Sequence, residues 1–219
     1  VNNRNVVIYS AHLDYTHYEC YLPRGYSGST WQKIEKPVTD TDTILALNRI
    51  SMRDESIKGS IAEARQEIEN GTLVLLGGDF NEPSHLDWQE DTKDLFDHNG
   101  AVVPWDCSVM LYDAGYKDAF REKYPDAARK PGFTFPAGNK DANLKDLSWA
   151  PEADERDRID FIYFIPDGAW NLKESSLAGP AESVYHGQII ENDTEDIFIE
   201  PQGVWPTDHK GNLVVFGIR

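Results

Sequence analysis

Polar side chains able to transfer protons, bind metal or hold phosphate occur at four places where apolar runs begin or end. They are His12 after VVIYSA, Asp79 and Asn81 after LVLLGG, Asp160 within DRIDFIYF, and Asp208 with His209 shortly before NLVVFGI. Strand ends and the loops next to them are where rigid scaffolds place reactive groups. Imidazoles and carboxylates serve as general acids and bases, and carboxylate oxygens bind hard divalent cations. The set could therefore transfer protons, bind a divalent cation or hold a phosphate.

Taken singly, each of these groups also has a structural interpretation. A histidine after a strand, such as His12, is commonly a hydrogen-bonded structural residue. Asp79 and Asn81 follow two glycines and could form a turn in which their side chains bond to the local backbone. Asp160 lies in an apolar run and needs a partner for its charge, for which a structural arginine is as good a candidate as a catalytic histidine. The motif TDH at 207–209 is short enough to match by chance.

Apolar periodicity predicts the strands and helices that would position these groups. Strands, all interpreted as buried, are predicted in NVVIYSAHLDY with its end near His12, and in TLVLLGGDF, RIDFIYFI, NLVVFGI and ESVYHGQII. Helices are predicted in DTDTILALNRIS, in RDESIKGSIAEARQEIENG with its end at Gly71, and as short pieces in HLDWQEDTKDLF and YKDAFREKY. Strands that alternate with helices indicate an α/β protein whose helices cover the faces of its sheets.

The chain of 219 residues is expected to form one compact domain. The polar and aromatic stretch at 15–43 is interpreted as a loop insertion that could shape a substrate pocket. Tryptophans including Trp31, Trp88, Trp149 and Trp205 could line a cleft, with packing in the core or at its rim as the alternative. The charge run PEADERDRID at 151–160 is typical of a solvated loop. Cys20 and Cys107 form either one disulfide or two buried thiols.

The composition limits the partners. The 38 acidic and 21 basic side chains give a formal net charge of -17. The field of the whole molecule therefore repels polyanions, and duplex DNA is not expected to be a partner. No apolar run reaches the ~18 to 20 residues that a membrane helix needs. An acidic protein with a large insertion is compatible with an exported bacterial enzyme, either periplasmic or secreted.

In this order along the chain, the polar groups resemble the motifs of the endonuclease/exonuclease/phosphatase family, the deoxyribonuclease-like metal-dependent phosphoesterases. AHLD at 11–14 is similar to the family's THLD, GDFN at 78–81 and RIDF at 158–161 match its motifs, and TDH at 207–209 is similar to its SDH. The stretches DAGYKDAFRE and PGFTFP are weaker likenesses. The resemblance implies an α/β (α+β) fold with a two-sheet β-sandwich flanked by helices, in four layers αββα.

The resemblance also implies roles for the site residues. His209 would be the general base, oriented by Asp160 through its other ring nitrogen. Asp79 and Asn81 would orient the attacking water and hold a phosphate oxygen, and the two glycines before them would let the substrate approach the backbone. His12 would donate a hydrogen bond to the phosphate. Asp208 would bind the cofactor, Mg²⁺ or Mn²⁺, because carboxylate oxygens suit a hard ion.

Two basic residues are weaker candidates for contacts with the phosphate. Arg53 and Lys210 could bind substrate, with exposed salt bridges as the alternative for both.

The resemblance and these residues together predict a metal-dependent phosphoester hydrolase, a phosphatase or phosphodiesterase, that acts on a small organic or lipid-linked phosphate. A nonspecific nuclease is the nearest alternative. A noncatalytic binding or scaffold protein with the same fold is the alternative from another class, and a glycan-binding module is suggested only by the tryptophan content.

The chain departs from the family at its N-terminus. Family members carry an additional segment there, with several strands, an early Asn and the Glu of a QE motif that is the principal metal ligand. Residues 1–219 would be the C-terminal major part of a single domain whose N-terminal strands are missing. We expect an exposed apolar sheet face that the missing segment or another chain covers. We also expect weak metal binding and little activity from this chain alone.

Overall fold

The computed structural model describes residues 3–168 and 170–218. Its strands and helices, in chain order, are β1 (Val6–His12), α1 (Thr41–Asn48), α2 (Arg53–Glu69), β2 (Leu73–Asp79), α3 (Asp106–Asp113), β3 (Lys117–Asp118), α4 (Ala119–Lys123), β4 (Asp160–Phe164), β5 (Trp170–Ala178), β6 (Ser183–Tyr185), β7 (Gln188–Ile190), β8 (Phe198–Ile199) and β9 (Gly211–Ile218). Short 3₁₀ helices span Glu19–Tyr21 and Leu144–Asp146.

The protein is a mixed α/β protein, as the alternation of strands and helices predicts. Its described strands form a four-stranded sheet in the order β1-β2-β4-β3, a three-stranded sheet in the order β8-β5-β9, and the pair β6-β7. In the first sheet β1 runs parallel to β2 with His12 opposite Asp79, and β4 runs antiparallel to β2 with Asp160 opposite Asp79. This register brings three of the predicted site residues to one edge of the sheet.

Contacts between β4 and β9 join the two larger sheets. The Asn212 side-chain amide donates a 2.8 Å hydrogen bond to the backbone oxygen of Asp160. The rings of Phe164 and Phe216 lie 5.1 Å apart between centroids. β9 and the residues just before it are therefore held against the end of β4.

Local signals explain where α1 begins and where α2 ends. Asp40 caps α1, since its carboxylate accepts a 2.9 Å hydrogen bond from the Thr43 backbone N–H. After α2, Gly71 adopts a φ of 74°, the left-handed conformation that commonly terminates helices. Ile57 and Ala64 of α2 are fully buried with Val74 of β2 in one apolar cluster. This helix therefore covers one face of the four-stranded sheet, as expected.

Other predictions of secondary structure need correction. The stretch ESVYHGQII forms the hairpin β6-β7 rather than one strand, because His186 and Gly187 both have positive φ and make a tight turn. The stretch HLDWQEDTKDLF forms turns instead of a helix. There the Thr92 hydroxyl donates to the backbone oxygen of Asp87 at 2.7 Å, a side-chain bond that competes with helical bonding.

The buried side chains form two apolar clusters. The aromatic core contains Tyr18, Cys20, Tyr21, Leu22, Tyr26, Ile44, Leu45, Trp88, Ala101, Val103, Trp105, Phe135, Ala150, Ala153 and Ile159. The sheet core contains Ile57, Ala64, Val74, Leu76, Phe80, Cys107, Leu111, Tyr116, Phe161 and Tyr163. Both cysteines are free and buried, one in each cluster, which decides against the disulfide. Segment 15–43, predicted as a loop insertion, supplies much of the aromatic core.

The charge run at 151–160 is not a solvated loop. Residues 153–159 are all buried. Arg156 pairs with Asp154 at 2.8 Å, and Arg158 pairs with Asp118 at 2.6 Å. Because every arginine of the run has a carboxylate partner, the cost of removing its charge from water is offset by ion pairing and hydrogen bonds.

The outer strands expose apolar side chains, contrary to the prediction that these strands are buried. β1 and β9 lie at edges of their sheets. Ile8 of β1 is 69% exposed, and Leu213 and Val215 of β9 are 48% and 40% exposed. Apolar surface at open sheet edges is prone to association. Among the described residues, no helix has the length and apolar character needed to cross a membrane.

His98 should make the stability of the fold depend on pH. It is buried and stacks on Trp88 with ring centroids 3.6 Å apart, and burial, together with the charge of Arg24, lowers its pKa well below the ordinary value of 6.5. The unfolded chain therefore binds the proton more readily, and the free energy of unfolding should fall below about pH 6.5 by up to about 1.4 kcal/mol per pH unit. Urea unfolding at about pH 7.5 and about pH 5.5 measures this loss.

The control for this prediction is His98→Phe, which keeps a ring against Trp88 and removes the titrating group. The difference in unfolding free energy between the two pH values should shrink in this variant. An equal difference in both proteins would show that other groups cause the acid sensitivity.

Candidate active site

His209 and Asp160 form a hydrogen-bonded pair where β4 begins. The His209 Nδ1 lies 2.9 Å from the Asp160 Oδ2, and the backbone N–H of Asp160 donates to the Thr134 hydroxyl at 3.1 Å. Burial disfavours the charged imidazolium, but the hydrogen bond and charge of Asp160, with the charges of Asp79 and Asp208, outweigh it and raise the pKa of His209 to about 9. The pair fixes which ring nitrogen faces away from Asp160, and that nitrogen is Nε2.

Asp79, at the end of β2, lies between two imidazoles. Its Oδ2 is 3.9 Å from the His209 Nε2 and 3.6 Å from the His12 Nε2. Burial and the negative charge of Asp160 raise the pKa of Asp79 to about 6, although His209 acts in the opposite direction. The side chain of His12 is 76% exposed, so it stands at the mouth of the site.

Asn81 is held beside Asp79 by the chain turn that follows β2. Its backbone N–H donates to the Asp79 Oδ1 at 2.7 Å, and its side-chain amide donates to the Leu13 backbone oxygen at 3.0 Å. Its φ of 47° is the left-handed conformation that asparagine tolerates better than most residues. The local turn and the placement at the site therefore occur together, and neither interpretation excludes the other.

The two glycines before Asp79 are required by neighbouring strands rather than by a substrate. A Cβ on Gly78 would lie 1.9 Å from the Ala11 backbone oxygen of β1, at a φ of 139°. A Cβ on Gly77 would lie 3.0 Å from the Phe161 backbone oxygen of β4. The close approach of the strands explains both glycines without a substrate, and neither glycine is among the residues that line the pocket. They allow the three strands to bring His12, Asp79 and Asp160 together.

Gly78→Ala should separate β1 from β2 and destabilise the protein by more than about 2 kcal/mol, because the added Cβ clashes with the backbone and cannot move away. Chemical unfolding measures the change. Gly59→Ala is the matched control, since Gly59 lies inside α2 and a Cβ there meets no atom within 4 Å. This control should stabilise the helix by roughly 0.5–1 kcal/mol. Equal effects of the two substitutions would contradict the packing argument.

The site opens into a pocket of about 300 Å³. Its lining residues are His12, Tyr15, Tyr18, Tyr21, Trp31, Asp79, Asn81, Phe135, Trp149, Ile159, Asp208 and His209. Five of the six polar residues of the predicted site therefore line one cavity. The sixth, Asp160, is hydrogen-bonded to His209 of this lining. The other seven of the twelve lining residues are aromatic or apolar. Trp31 and Trp149 are among them, as the sequence suggested, whereas Trp88 packs in the aromatic core and Trp205 does not line this pocket.

Arg53 does not reach this pocket. It is fully buried, and its guanidinium donates to the backbone oxygens of Asp14 at 2.6 Å, Thr16 at 2.8 Å and His17 at 2.7 Å. Neither the predicted phosphate contact nor an exposed salt bridge describes it. Because these bonds hold the chain on both sides of Tyr15, Arg53 positions one wall of the pocket.

Lys210 also lies outside the pocket, so the predicted substrate contact is corrected here too. Its side chain is buried, its Nζ donates to the Ser183 hydroxyl at 2.9 Å, and it lies 4.3 Å from the centroid of the Phe198 ring. Burial lowers the pKa of Lys210 to about 7. Although Lys210 follows His209 in sequence, its ammonium group contacts Ser183 and Phe198 and does not line the pocket.

The site residues fit a divalent cation with oxygen ligands. Asp79, Asp160 and His209 each offer one ligand atom, and these atoms lie within 4.8 Å of one another. Asp208 lines the same pocket. Burial and repulsion from Asp160 raise the pKa of Asp79, and a bound cation would favour its charged form. Oxygen-rich, partly hydrated sites of this kind suit Mg²⁺ or Mn²⁺.

A second buried group of possible ligands is Asp54, Glu82 and Cys107. Glu82 accepts hydrogen bonds from the Asn48 side chain at 2.6 Å and from the Cys107 backbone at 2.7 Å. Its carboxylate also lies 3.6 Å from the Arg53 Nε. Because a guanidinium already neutralises Glu82, this group has a structural explanation.

Comparisons with known proteins give one distant likeness and no activity. No protein-family model matches the chain. A protein of Caenorhabditis elegans, named only as an uncharacterized protein, is 32% identical over 159 residues, which cover 71% of this chain and 46% of that protein. The chain thus spans about half the length of the curated relative that it matches. The function proposed below therefore rests on the geometry of the site.

Proposed function

We propose that the protein is a metal-dependent phosphoester hydrolase. The observation that carries this proposal is the array of Asp160, His209, Asp79 and His12, in which the last three line the pocket and Asp160 holds His209. It combines an oriented imidazole, a pair of facing carboxylates and a second, exposed imidazole. Hydrolysis of a phosphoester needs these three functions: a base for water, charge to balance the phosphoryl group and a hydrogen-bond donor.

His209 is the proposed general base. Its Nδ1 is bound to Asp160, so its Nε2 is the nitrogen that takes the proton from water. Asp160 holds the ring in the required tautomer and stabilises the imidazolium that forms. Asp79, 3.9 Å from the same Nε2, is placed to orient the attacking water.

The remaining polar residues hold the phosphate. His12, exposed at the mouth and 3.6 Å from Asp79, donates a hydrogen bond to a phosphoryl oxygen. Asn81, which is held beside Asp79 and lines the same pocket, fixes a second oxygen. Asp208, Asp79 and Asp160 would hold Mg²⁺ or Mn²⁺. The bound cation would neutralise the phosphoryl charge and offset the carboxylate charges that keep His209 protonated.

Removal of the metal tests the proposal. The protein is prepared both as these 219 residues and in the longest form that its gene encodes. Each is assayed with a bis-aryl and a mono-aryl phosphate. Turnover should fall to the uncatalysed level with EDTA and return with excess Mg²⁺, since phosphoryl charge is then neutralised again. Faster hydrolysis of the bis-aryl phosphate would indicate a phosphodiesterase, and faster hydrolysis of the mono-aryl phosphate would indicate a phosphatase. Turnover that is indifferent to chelation, or no turnover in either form, would contradict the proposal.

The family and the layering of the fold are part of the proposal. The residues of the four motifs meet in one pocket, and β4 and β9 contact each other between the two larger sheets. Both observations support a two-sheet sandwich of the endonuclease/exonuclease/phosphatase type. The exposed Ile8, Leu213 and Val215 support the proposal that another segment or chain covers the edges of the sheets.

No observation favours the alternatives over hydrolysis of a small phosphoester. A nonspecific nuclease needs basic side chains along the path of the nucleic acid, whereas the described lining of the pocket holds no lysine or arginine. A noncatalytic scaffold would not need an imidazole oriented by a carboxylate within reach of a second carboxylate. We therefore propose a small organic phosphoester as the substrate.

A further inference from the structure

The half of the pocket away from the catalytic groups is a wall of aromatic rings. The wall consists of Tyr15, Tyr18, Tyr21, Trp31, Phe135 and Trp149. Phe135 connects it to the catalytic groups, since its ring centroid lies 4.9 Å from that of His209 and 5.8 Å from that of Trp149. Any ester placed with its phosphorus near His209 therefore lays its organic group along this wall.

The conformation of Trp31 is unusual for its size. It has a φ of 62°, in the left-handed region that bulky residues avoid. A turn holds it there, because its backbone N–H donates to the Ser27 oxygen at 2.9 Å. Its ring packs on Tyr21 at 5.7 Å and on Tyr18 at 6.3 Å between centroids. Unfavourable backbone conformations persist where the surrounding structure enforces them, and they cluster at ligand sites.

The two buried tyrosines present ring surfaces rather than hydroxyl groups to the pocket. The Tyr21 hydroxyl donates to the Glu155 Oε2 at 2.7 Å, and the Tyr18 hydroxyl donates to the Asp157 Oδ2 at 3.2 Å. Both hydroxyls are thus engaged behind the wall. A polyol or sugar would lose its hydrogen bonds to water against these rings without replacing them, which disfavours such groups.

The rings are also arranged unlike a cage for an organic cation. Tyr18 and Tyr21 lie 5.0 Å apart between centroids, and Tyr18 and Phe135 lie 6.5 Å apart, which is direct ring contact. A cation cage needs opposed faces with room for the ligand between them. These two pairs are packed edge to face, with interplanar angles of 79° and 85°, and leave no gap for a ligand between them. A ligand therefore lies against the wall, where it can stack on an exposed ring face.

We propose that this wall binds a flat, uncharged ring carried by a substrate with a single phosphate, and that Trp31 determines this specificity. The inference rests on the proposed phosphoester function for the place of the phosphate. The described lining holds no lysine or arginine to neutralise a second phosphate, and His12 and Asn81 are already assigned to the first. The volume of about 300 Å³ suits one ring system beside the phosphate.

Binding of two stable phosphonates tests the inference without requiring turnover. Phenylphosphonate and methylphosphonate are titrated by calorimetry in the presence of Mg²⁺. Phenylphosphonate should bind about tenfold more tightly, the effect of one good aromatic contact. Trp31→Ala should remove most of this preference, and Trp31→Phe should keep most of it. Tyr112→Ala, at an aromatic residue 53% exposed and outside this pocket, is the matched control and should leave the preference unchanged.

A hydrolysis arm separates failure of the inference from failure of the proposed function. The effect of Trp31→Ala on kcat/KM is compared between phenyl phosphate and methyl phosphate, so that their different intrinsic reactivities cancel. A larger loss for the phenyl ester supports the inference. Binding of phenylphosphonate that depends on Trp31, without turnover of either ester, would support the aromatic subsite and refute the hydrolase.

Three results would overturn the inference. One is a phenyl preference that survives both Trp31→Ala and Trp149→Ala, each shown to be folded by circular dichroism. Another is tighter binding of phosphocholine than of phenylphosphonate, which would indicate a cation site. The third is turnover without any preference for the phenyl ester over glycerol phosphate. If Trp31→Ala does not fold, the graded effect of Trp31→Phe and the effect of Trp149→Ala decide the outcome.

Discussion

His209→Gln is expected to lower turnover of an aryl phosphoester by about 10²- to 10⁴-fold, while the protein remains folded. Glutamine is polar and of similar length, but it cannot take a proton from water. The imidazole is held by Asp160 at 2.9 Å and faces Asp79 with its other nitrogen, so no neighbouring group replaces it. Measuring kcat at saturating Mg²⁺, with thermal unfolding on the same preparations, separates loss of chemistry from loss of structure.

His186→Gln is the matched control for this substitution. Its side chain is 38% exposed, and it lies in the β6-β7 turn outside the pocket. It should leave turnover within about twofold, because surface substitutions away from a site change little. Asp160→Asn should give an intermediate loss, since an amide retains a hydrogen bond but no charge to stabilise the imidazolium. A His209→Gln protein with more than a tenth of the activity would exclude His209 as the base.

Asp157→Ala is expected to destabilise the fold by about 3–5 kcal/mol, the cost of leaving one partner of a buried ion pair alone. The guanidinium of Arg24, which is fully buried, pairs with this carboxylate and donates to its Oδ1 at 3.3 Å. The Tyr18 hydroxyl donates to the same group at 3.2 Å, and the Trp88 indole does so at 3.4 Å. Urea unfolding measures the loss, which is a large part of the stability of an ordinary domain.

An exposed ion pair in the same segment provides the contrast. Glu152 pairs with Lys33, and their side chains are 65% and 59% exposed. Glu152→Ala should cost no more than about 1 kcal/mol. The double variant Arg24→Met with Asp157→Leu should recover part of the stability, because it removes both charges rather than one. Similar losses for Asp157→Ala and Glu152→Ala would show that burial does not determine the cost.

The elements that carry the site were predictable because their signals are local. β-branched runs with polar residues at their ends marked β1, β2 and β4, and the spacing of Ile57 and Ala64 marked α2. The pairing of these strands then follows from their apolar character. The polar ends must meet once β1 and β4 pair with β2 on either side. The geometry of the site is therefore a consequence of strand order.

Features that depend on distant partners could not be predicted in the same way. Seven consecutive residues of the charge run at 151–160 are buried because Arg24, Asp87 and Asp118, remote in sequence, supply the opposite charges. Arg53 illustrates the same limit. Its sequence neighbourhood shows a charged residue at a helix start, whereas its three backbone acceptors lie 36 to 39 residues away.

Tertiary pairing also explains the elements that the sequence did not indicate. β5 contains Lys173 and Glu174 in its middle and reads as polar, but it pairs with β9 along its length. Helix α3 begins after Trp105, which has no capping hydrogen bond from its side chain. Intrinsic secondary-structure propensity and apolar pattern are weak predictors of an element whose stability comes from a partner strand or from helix packing.

The separation of the two thiols makes the protein its own reporter of local opening. Cys20 and Cys107 are the two cysteines of the sequence, and each is buried in a different apolar cluster. A thiol reagent reaches either sulfur only when its own cluster opens, so the two labelling rates measure two opening free energies in the same molecule. Equal rates would mean that the aromatic core and the sheet core unfold as one unit. Unequal rates would identify which of the two clusters, the aromatic core or the sheet core, opens with the lower free energy.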